Sequence, residues 1–163
     1  QKAVSENDIV FLSGGVSAGD FDFVPKAMQQ IGFDILFDSI AVQPGRPTTL
    51  AKNGDKYIMG LPGNPVSSFI QFELLGSVLI NRLGGKAAEM KVMKGITGQT
   101  FHRKKAERKS FYPVFVNESG KLVQVEYHGS AHINSLLNAV GVISMEMGVY
   151  EIAEGVEVDV RLF

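Results

Sequence analysis

The sequence predicts a three-layer α/β sandwich over residues 1–85, followed by a small all-β, barrel-like domain over residues 86–163. In the first part, apolar runs that fit buried strands alternate with helical patterns, and the junctions between them are rich in glycine and proline. After Gly85 the sequence changes to short strand-like runs separated by turn residues. The change in pattern predicts two domains with different architectures.

The first domain opens with a strand-to-helix unit. Asp8–Leu12 is a short continuous apolar run, which is typical of a strand buried on both faces of a parallel sheet. A helix is expected to follow, with Asp22 as its N-cap, Pro25 in its first turn and Gly32 at its end. Phe33–Val42 then predicts a second strand.

A hairpin and a long helix complete the predicted first domain. Thr48–Lys52 and Tyr57–Leu61 flank a turn at Asn53–Lys56, which is a hairpin signal. An apolar helix is expected from Val66 to Leu83, closed by two glycines. In the second domain the predicted strands are Phe111–Val116, Leu122–Tyr127, Gly141–Met145 and Val156–Leu162, with a helical turn at Ser135–Ala139.

Composition excludes several classes of protein. The 163 residues include 16 basic and 17 acidic side chains, so the net charge of −1 gives no field that favours nucleic acid or an acidic membrane. The chain has no cysteine, which excludes disulfides and thiolate chemistry, and no apolar run approaches the roughly 20 residues of a membrane span. We expect a soluble cytoplasmic protein without nucleic-acid or membrane partners. The chain starts without methionine, close to its first strand, which suggests a fragment.

The first junction reads SGGVSAGDFD, from Ser13 to Asp22. Gly14 and Gly15 lack Cβ atoms, so their backbone N–H groups can approach an anion, and the hydroxyls of Ser13 and Ser17 add donors. The lack of lysine and the spacing exclude the common phosphate-loop patterns.

Two carboxylates, Asp20 and Asp22, close the same junction. Beside an oxyanion site, they suit a hard cation such as Mg²⁺. The structural alternative is a tight glycine turn with Asp22 as a helix cap.

The second motif is a stiff loop that carries one arginine. Pro44, Gly45, Arg46 and Pro47 hold the guanidinium between two prolines with restricted backbones, where it could bind phosphate or another tetrahedral oxyanion. A solvated arginine in a proline-rich turn is the alternative.

The third motif, GLPGNPVSS, is another strand-to-helix junction and carries no charged side chain. A ligand would meet backbone N–H groups, Asn64 and Ser67, although either residue alone fits a turn or a first helical turn. Two such junctions in one sheet are expected to face each other across a crevice. The candidate residues here are Pro62, Gly63, Asn64, Pro65 and Ser67.

The histidines and the basic run carry less information. His102, His128 and His132 lack the spacing of a helical metal site. The run His102–Lys109 is expected to be a solvated strand or loop, or to attract an anionic ligand or partner.

The three motifs SGGVSAGDFDFV, PGRPTT and GLPGNPVSSFIQFELL, in this order and at these separations, resemble the molybdopterin molybdenumtransferase (MoeA) family, which includes the E domain of gephyrin. The resemblance is close over Asp8–Gly85, and Gly129–Ile143 looks like the more divergent C-terminal β-domain. It implies Mg²⁺-assisted insertion of molybdate into adenylated molybdopterin, with release of AMP.

The resemblance also implies roles for individual residues. Ser13, Gly14, Gly15 and Ser17 would line a crevice for pterin phosphate and molybdate, and Asn64 and Ser67 would close its other side. Asp22 would be the catalytic or metal-linked carboxylate, with Asp20 second to it. Arg46 replaces the lysine that is commonest in the family's loop, so it keeps the charge and changes the donor geometry.

The resemblance leaves alternatives and partners to be tested. One alternative is a molybdopterin adenylyltransferase-like enzyme, which shares the α/β domain but usually lacks the appended β-domain. The other alternative is a gephyrin-like binding or scaffold module. A homodimer of the full-length protein and contact with the adenylyltransferase are implied. The family's upstream phosphate loop is absent from this sequence, so we expect little transferase activity from this chain alone.

Overall fold

The computed structural model describes residues 2–15, 23–87, 89–126 and 133–163. The chain divides into two compact units, the first made of Gln1–Ile40 and Gly45–Ala88 and the second of Ala41–Pro44 and Glu89–Phe163. No helix within the described ranges is long and apolar enough to cross a membrane.

In chain order the helices are α1 (Lys2–Glu6), α2 (Phe23–Gln30), α3 (Pro65–Gln71) and α4 (Ser77–Leu83), with a π-helical turn at Phe72–Gly76 and a 3₁₀ helix at Ile133–Asn138. The strands are β1 (Ile9–Ser13), β2 (Asp34–Phe37), β3 (Val42–Gln43), β4 (Thr49–Asn53), β5 (Lys56–Leu61), β6 (Val92–Ile96), β7 (Phe101–His102), β8 (Lys109–Val116), β9 (Leu122–Gln124), β10 (Gly141–Met145), β11 (Glu151–Ile152) and β12 (Glu157–Leu162).

The first unit is a three-layer α/β structure, as the sequence predicts. Its sheet has the order β1-β5-β4-β2, with β1 parallel to β5 and the β4–β5 hairpin antiparallel. On one face Met28 of α2 packs with Ala51 and Ile58 of the sheet. The opposite face packs on the long helix, where the rings of Phe11 and Phe72 meet edge to face at 5.2 Å between centroids.

The long helix differs from the uninterrupted one that the sequence predicts. Residues 65–83 are helical throughout, but a π-helical turn separates α3 from α4. A Cβ atom on Gly76 would lie 2.9 Å from Phe72 Cδ2 and 3.0 Å from Phe11 Cε1. The two aromatic rings therefore occupy the space that a side chain on Gly76 would need.

The second unit is β-rich, as predicted. Its main sheet has the order β3-β8-β10-β12-β6, and β9 also pairs with β8. Thr97, just after β6, forms an isolated parallel bridge to Leu122 of β9, so the two edges of the sheet approach each other without a closed ladder. The fully buried core residues are Phe101, Val114, Leu122, Ile143, Met145 and Val160.

The sequence predicts one strand over Phe33–Val42, but the structure has two strands there, and they belong to different units. β2 belongs to the first sheet, whereas β3 pairs in parallel with the beginning of β8 in the second unit. The polar pair Asp38 and Ser39 interrupts the apolar run between them. A local pattern cannot reveal this, because the partner of β3 lies more than 60 residues away in the sequence.

Candidate functional site

Three glycine- or proline-rich junctions meet at one edge of the first unit's sheet. β1 and β5 are parallel neighbours, with Ser13 opposite Leu61, so their carboxyl ends lie side by side. β4 runs antiparallel to β5 and begins with Thr49 opposite Gly60, so the loop before β4 reaches the same edge. The sequence predicts that the proline loop follows a strand. In the first unit's sheet, the loop instead precedes strand β4.

The first and third junctions lie in contact. The Gly14 N–H donates to the Leu61 carbonyl oxygen at 3.1 Å, which extends the β1–β5 pairing beyond the strands. A Cβ atom on Gly63 would lie 3.5 Å from the Gly14 Cα. The two loops are therefore packed backbone to backbone.

Gly14 and Gly15 both have left-handed backbones, with φ values of 85° and 68°. Such a conformation is strained for residues with a Cβ atom, and successive residues of this kind can turn their N–H groups toward a shared concavity. A Cβ on Gly15 would also lie 2.9 Å from Val24 Cγ2. The glycines are required by backbone geometry at this edge.

This edge offers donors without partners. Within the described ranges, the backbone N–H groups of Gly15, Gly63 and Asn64 donate to no other group. The hydroxyl of Thr49 is fully buried and has no hydrogen-bond partner among the residues that the structure describes. Since buried polar groups are nearly always paired, Thr49 is a residue of interest that the sequence assigned only to a strand.

Asn64 caps the helix that follows. Its Oδ1 accepts hydrogen bonds from the Ser67 backbone N–H at 3.1 Å and from the Ser67 hydroxyl at 3.4 Å, while Pro65 occupies the first helical turn. From the sequence, the structural alternative for Asn64 is a turn residue, and in the structure the Asn64 Oδ1 atom acts as the helix cap. The Asn64 Nδ2 group donates to no described residue and remains available to a ligand.

The proline loop is fixed by its backbone and exposes its arginine. The Arg46 carbonyl accepts from the N–H groups of Ile40 and Thr48, and the Thr48 hydroxyl donates to the Gly45 carbonyl at 2.8 Å. The Arg46 side chain is exposed. Pro44 belongs to the second unit and Pro47 to the first, so the loop's residues divide between the two units.

Three candidate residues, Ser17, Asp20 and Asp22, lie outside the described residues. Within the described ranges no group of three or more histidine or acidic side chains could hold a metal ion. The donors at the glycine edge are N–H and hydroxyl groups, which suit an anion rather than Mg²⁺. The described residues therefore do not form a Mg²⁺ site.

The basic run contains a residue that sequence reasoning missed. His102 lies exposed on β7, while Arg103 is buried and donates to three carbonyl oxygens and to the Ser110 hydroxyl. Arg103 is therefore part of the interior of the second unit. His128 and His132 lie outside the described residues.

Family models match both units of the chain. Residues 1–82 match the model described as "Probable molybdopterin binding domain", and residues 98–163 match the one described as "MoeA C-terminal region (domain IV)". The second match covers much of the β-rich unit.

Individual relatives and structures agree with the family models. The chain is 40% identical to a molybdopterin molybdenumtransferase of Staphylococcus epidermidis over 104 residues, which are 63% of this chain and 25% of the relative. It is 40% identical to the Bacillus subtilis enzyme of the same name over 80 residues, or 49% and 19% of the two chains. The crystal structure of a molybdopterin biosynthesis MoeA protein from Pyrococcus horikoshii superimposes with a TM-score of 0.82 at 29% identity, covering 99% of this chain and 38% of that one. The aligned segment is thus about a quarter or less of these two relatives' length.

Proposed function

Because this chain belongs to the molybdopterin-binding domain family, we propose that its glycine edge binds the phosphate of molybdopterin and the molybdate ion during molybdenum cofactor biosynthesis. The observation that carries the proposal is the contact between the Gly14 and Gly63 loops. It gathers unpartnered N–H groups at the carboxyl ends of two parallel strands, where α/β sheets commonly bind ligands.

The proposed reaction is the insertion of molybdate into adenylated molybdopterin with release of AMP. Phosphate and molybdate are both tetrahedral oxyanions, so one set of fixed N–H donors suits either of them. Arg46 adds an exposed guanidinium from the loop that reaches the same edge of the sheet. These residues hold and orient the charged phosphate and molybdate groups. No covalent step is assigned to them.

Mg²⁺ assistance belongs to the same proposal and depends on Asp22, with Asp20 second. Since the described residues at this edge supply no carboxylate cluster, no step of the reaction is derived through the ion. A homodimer, contact with the adenylyltransferase and a cytoplasmic location remain proposals that rest on the resemblance.

The second unit favours a molybdenumtransferase over the related adenylyltransferase. The match of residues 98–163 to the MoeA C-terminal region covers the part that the adenylyltransferases usually lack. A scaffold role like that of gephyrin has no feature of the described residues in its favour.

The proposal is tested by titrating the ¹⁵N-labelled chain with phosphate, molybdate and AMP and following the backbone amide signals. We expect saturable shifts at Gly14, Gly15, Gly63 and Asn64 and weaker binding by Arg46→Ala. Arg82→Ala is the matched control, because Arg82 is an exposed arginine in the last turn of α4. Shifts spread over basic surface residues, with the glycine edge unaffected, would contradict the proposed site.

The reaction itself is tested in a full-length enzyme that contains this chain, by mixing it with adenylated molybdopterin and molybdate and measuring released AMP, with and without Mg²⁺. Binding at the glycine edge without AMP release would confine the proposal to substrate binding. Loss of Mg²⁺ dependence in Asp22→Asn would support the role given to that carboxylate.

A further inference from the structure

A buried amide side chain packs against the backbone of the proline loop within the first unit. Gln71 is the last residue of α3 and is 0% exposed. A Cβ atom on Gly45 would lie 2.6 Å from Gln71 Nε2 and 2.8 Å from Gln71 Cδ, and both distances are too short for a real contact. The backbone of Gly45 therefore rests directly on the Gln71 side chain. The sequence predicts no role for Gln71 in a site.

Gly45 takes its position from its neighbours. Its backbone is left-handed, with a φ value of 102°, which is strained for a residue with a Cβ atom. Gly45 is buried and has no side chain with which to anchor itself. The Thr48 hydroxyl donates to the Gly45 carbonyl at 2.8 Å, and the Gln71 side chain fills the space where a Cβ atom would lie. These two contacts therefore fix the Gly45 peptide.

A shift of the Gly45 peptide would move the arginine that follows it. The Arg46 carbonyl accepts from the N–H groups of Ile40 at 3.0 Å and Thr48 at 2.9 Å, while its side chain is exposed. The guanidinium thus takes its direction from a backbone that is held from below by Gln71. Paired hydrogen bonds from a guanidinium to an oxyanion depend strongly on geometry, so the placement of this backbone affects how well Arg46 binds an anion.

The helix α3 connects this contact to the glycine edge. It begins after the Asn64 cap, next to Gly63, and ends at Gln71. An α-helix rises 1.5 Å per residue, so the cap and Gln71 are about 10 Å apart along one hydrogen-bonded element. Side chains of a helix lean toward its N-terminus, which brings the Gln71 amide toward the capped end. One helix therefore contacts both the third junction and the proline loop.

We infer that Gln71 is a positioning residue for the proposed anion site. By packing against Gly45 it holds Arg46 in a fixed place relative to the N–H donors of the glycine edge. Gln71 is fully buried, so it acts through Arg46 and does not itself contact the anion. The inference rests on the proposed function, because it gives Gln71 a part in binding the same tetrahedral oxyanions.

The test is titration of the ¹⁵N-labelled chain with inorganic phosphate. Gln71→Ala leaves an unfilled space under Gly45 and is expected to weaken phosphate binding about fivefold. Gln71→Met fills the same space with a side chain of similar length, so we expect it to bind phosphate like the unaltered chain. Met28→Ala is the matched control, because Met28 is equally long and is buried on the opposite face of the sheet, where it packs with Ala51 and Ile58.

A double-mutant cycle shows whether Gln71 acts through the guanidinium. Arg46→Ala removes the group that Gln71 positions, so adding Gln71→Ala to it is expected to weaken phosphate binding no further. An equal loss with and without Arg46 would overturn the inference, because Gln71 would then act on the whole unit. Gln71→Met binding as weakly as Gln71→Ala would overturn it too. Should Gln71→Ala not fold, Gln71→Asn, which is one carbon shorter than the native side chain, takes its place in the cycle.

Hydrogen exchange tests the same contact without a ligand. The N–H groups of Ile40 and Thr48 both donate to the Arg46 carbonyl, so their exchange reports on the loop backbone. We expect Gln71→Ala to speed the exchange of these two amides relative to the amides of β4 and β5, and Met28→Ala to leave that ratio unchanged. A uniform change over the whole unit would contradict a local role for Gln71.

The outcomes separate this inference from the proposed function. If phosphate fails to shift the Gly14 and Gly63 signals of the unaltered chain while Gln71→Ala still loosens the loop, the proposed function fails and Gln71 remains the residue that positions Arg46. If phosphate shifts those signals but Gln71→Ala matches the unaltered chain in affinity and exchange, the inference fails and the proposed function stands.

Discussion

Gly63 lies so close to Gly14 that a Cβ atom on Gly63 would stand 3.5 Å from the Gly14 Cα. One Cβ fits there as an ordinary contact, but a branched side chain would fill the space beside the unpartnered N–H groups. Two loops that are about 50 residues apart in the sequence thus form one surface through backbone contact.

Substitutions at Gly63 can distinguish an effect on ligand access to this edge from an effect on folding. Gly63 has no left-handed backbone, so Gly63→Ala and Gly63→Val are both expected to fold, with Ala changing the free energy of unfolding by less than about 1 kcal/mol. We expect Ala to bind phosphate like the unaltered chain and Val to bind roughly tenfold more weakly, a difference of about 1.4 kcal/mol. Phosphate affinities from amide titration check this, and equal affinities of Val and Ala would show that the ligand does not approach Gly63.

Substitutions of Asn64 can distinguish its role as a helix cap from a role in ligand binding. Asn64→Ala removes the acceptor for the Ser67 N–H and is expected to cost about 1 kcal/mol in the free energy of unfolding. Asn64→Asp keeps that acceptor and so retains stability, but its negative charge repels an anion at the glycine edge. Chemical denaturation measures the first effect and phosphate titration the second. If Asn64→Asp binds phosphate as well as the unaltered chain, Asn64 is only a cap.

Strong local signals made much of the first unit predictable. The apolar run that became β1, the Asn-Gly turn of the β4–β5 hairpin and the Asn-Pro start of α3 each carry their cause within a few residues. The closeness of the Gly14 and Gly63 junctions also followed, because carboxyl ends of parallel strands share an edge. The two loops pack backbone to backbone, whereas the sequence predicts a crevice between them.

Features that depend on distant residues could not be predicted. β3 is two residues long and exists because β8 offers it an edge. The burial of Arg103 depends on carbonyl groups as far away as Val149, so a run of charges gives no sign of it.

An exposed ion pair between the edge strand β6 and its neighbour β12 predicts a pH effect of known sign. Lys94 Nζ lies 2.6 Å from Asp159 Oδ1, and this hydrogen bond, with the Asp159 charge, raises the Lys94 pKa above its ordinary value of 10.5. The stabilisation is therefore fully present below that value and is lost as the pH rises through the raised pKa. Because both side chains are exposed, the effect is expected to be small and weakened by salt.

The pH effect is checked by comparing unfolding of Asp159→Asn with that of the unaltered chain on both sides of the lysine transition. We expect a stability difference at neutral pH that narrows in alkali. Glu118→Gln, at an exposed turn, should show no such narrowing. A difference that widens as the pH rises would contradict the assigned pairing.

The buried Arg103 predicts the largest stability effect in the second unit. Arg103→Met keeps the apolar stem but leaves three carbonyl oxygens and the Ser110 hydroxyl without their donor, so we expect a loss of roughly 3 kcal/mol in the free energy of unfolding. Lys104→Met removes an exposed charge next to it and is expected to change stability by less than about 0.5 kcal/mol. Arg103→Lys should fall between the two, since an ammonium group has three donors for four acceptors. Denaturant unfolding of the three variants measures this order, and an Arg103→Met variant as stable as Lys104→Met would show that the guanidinium does not hold these segments together.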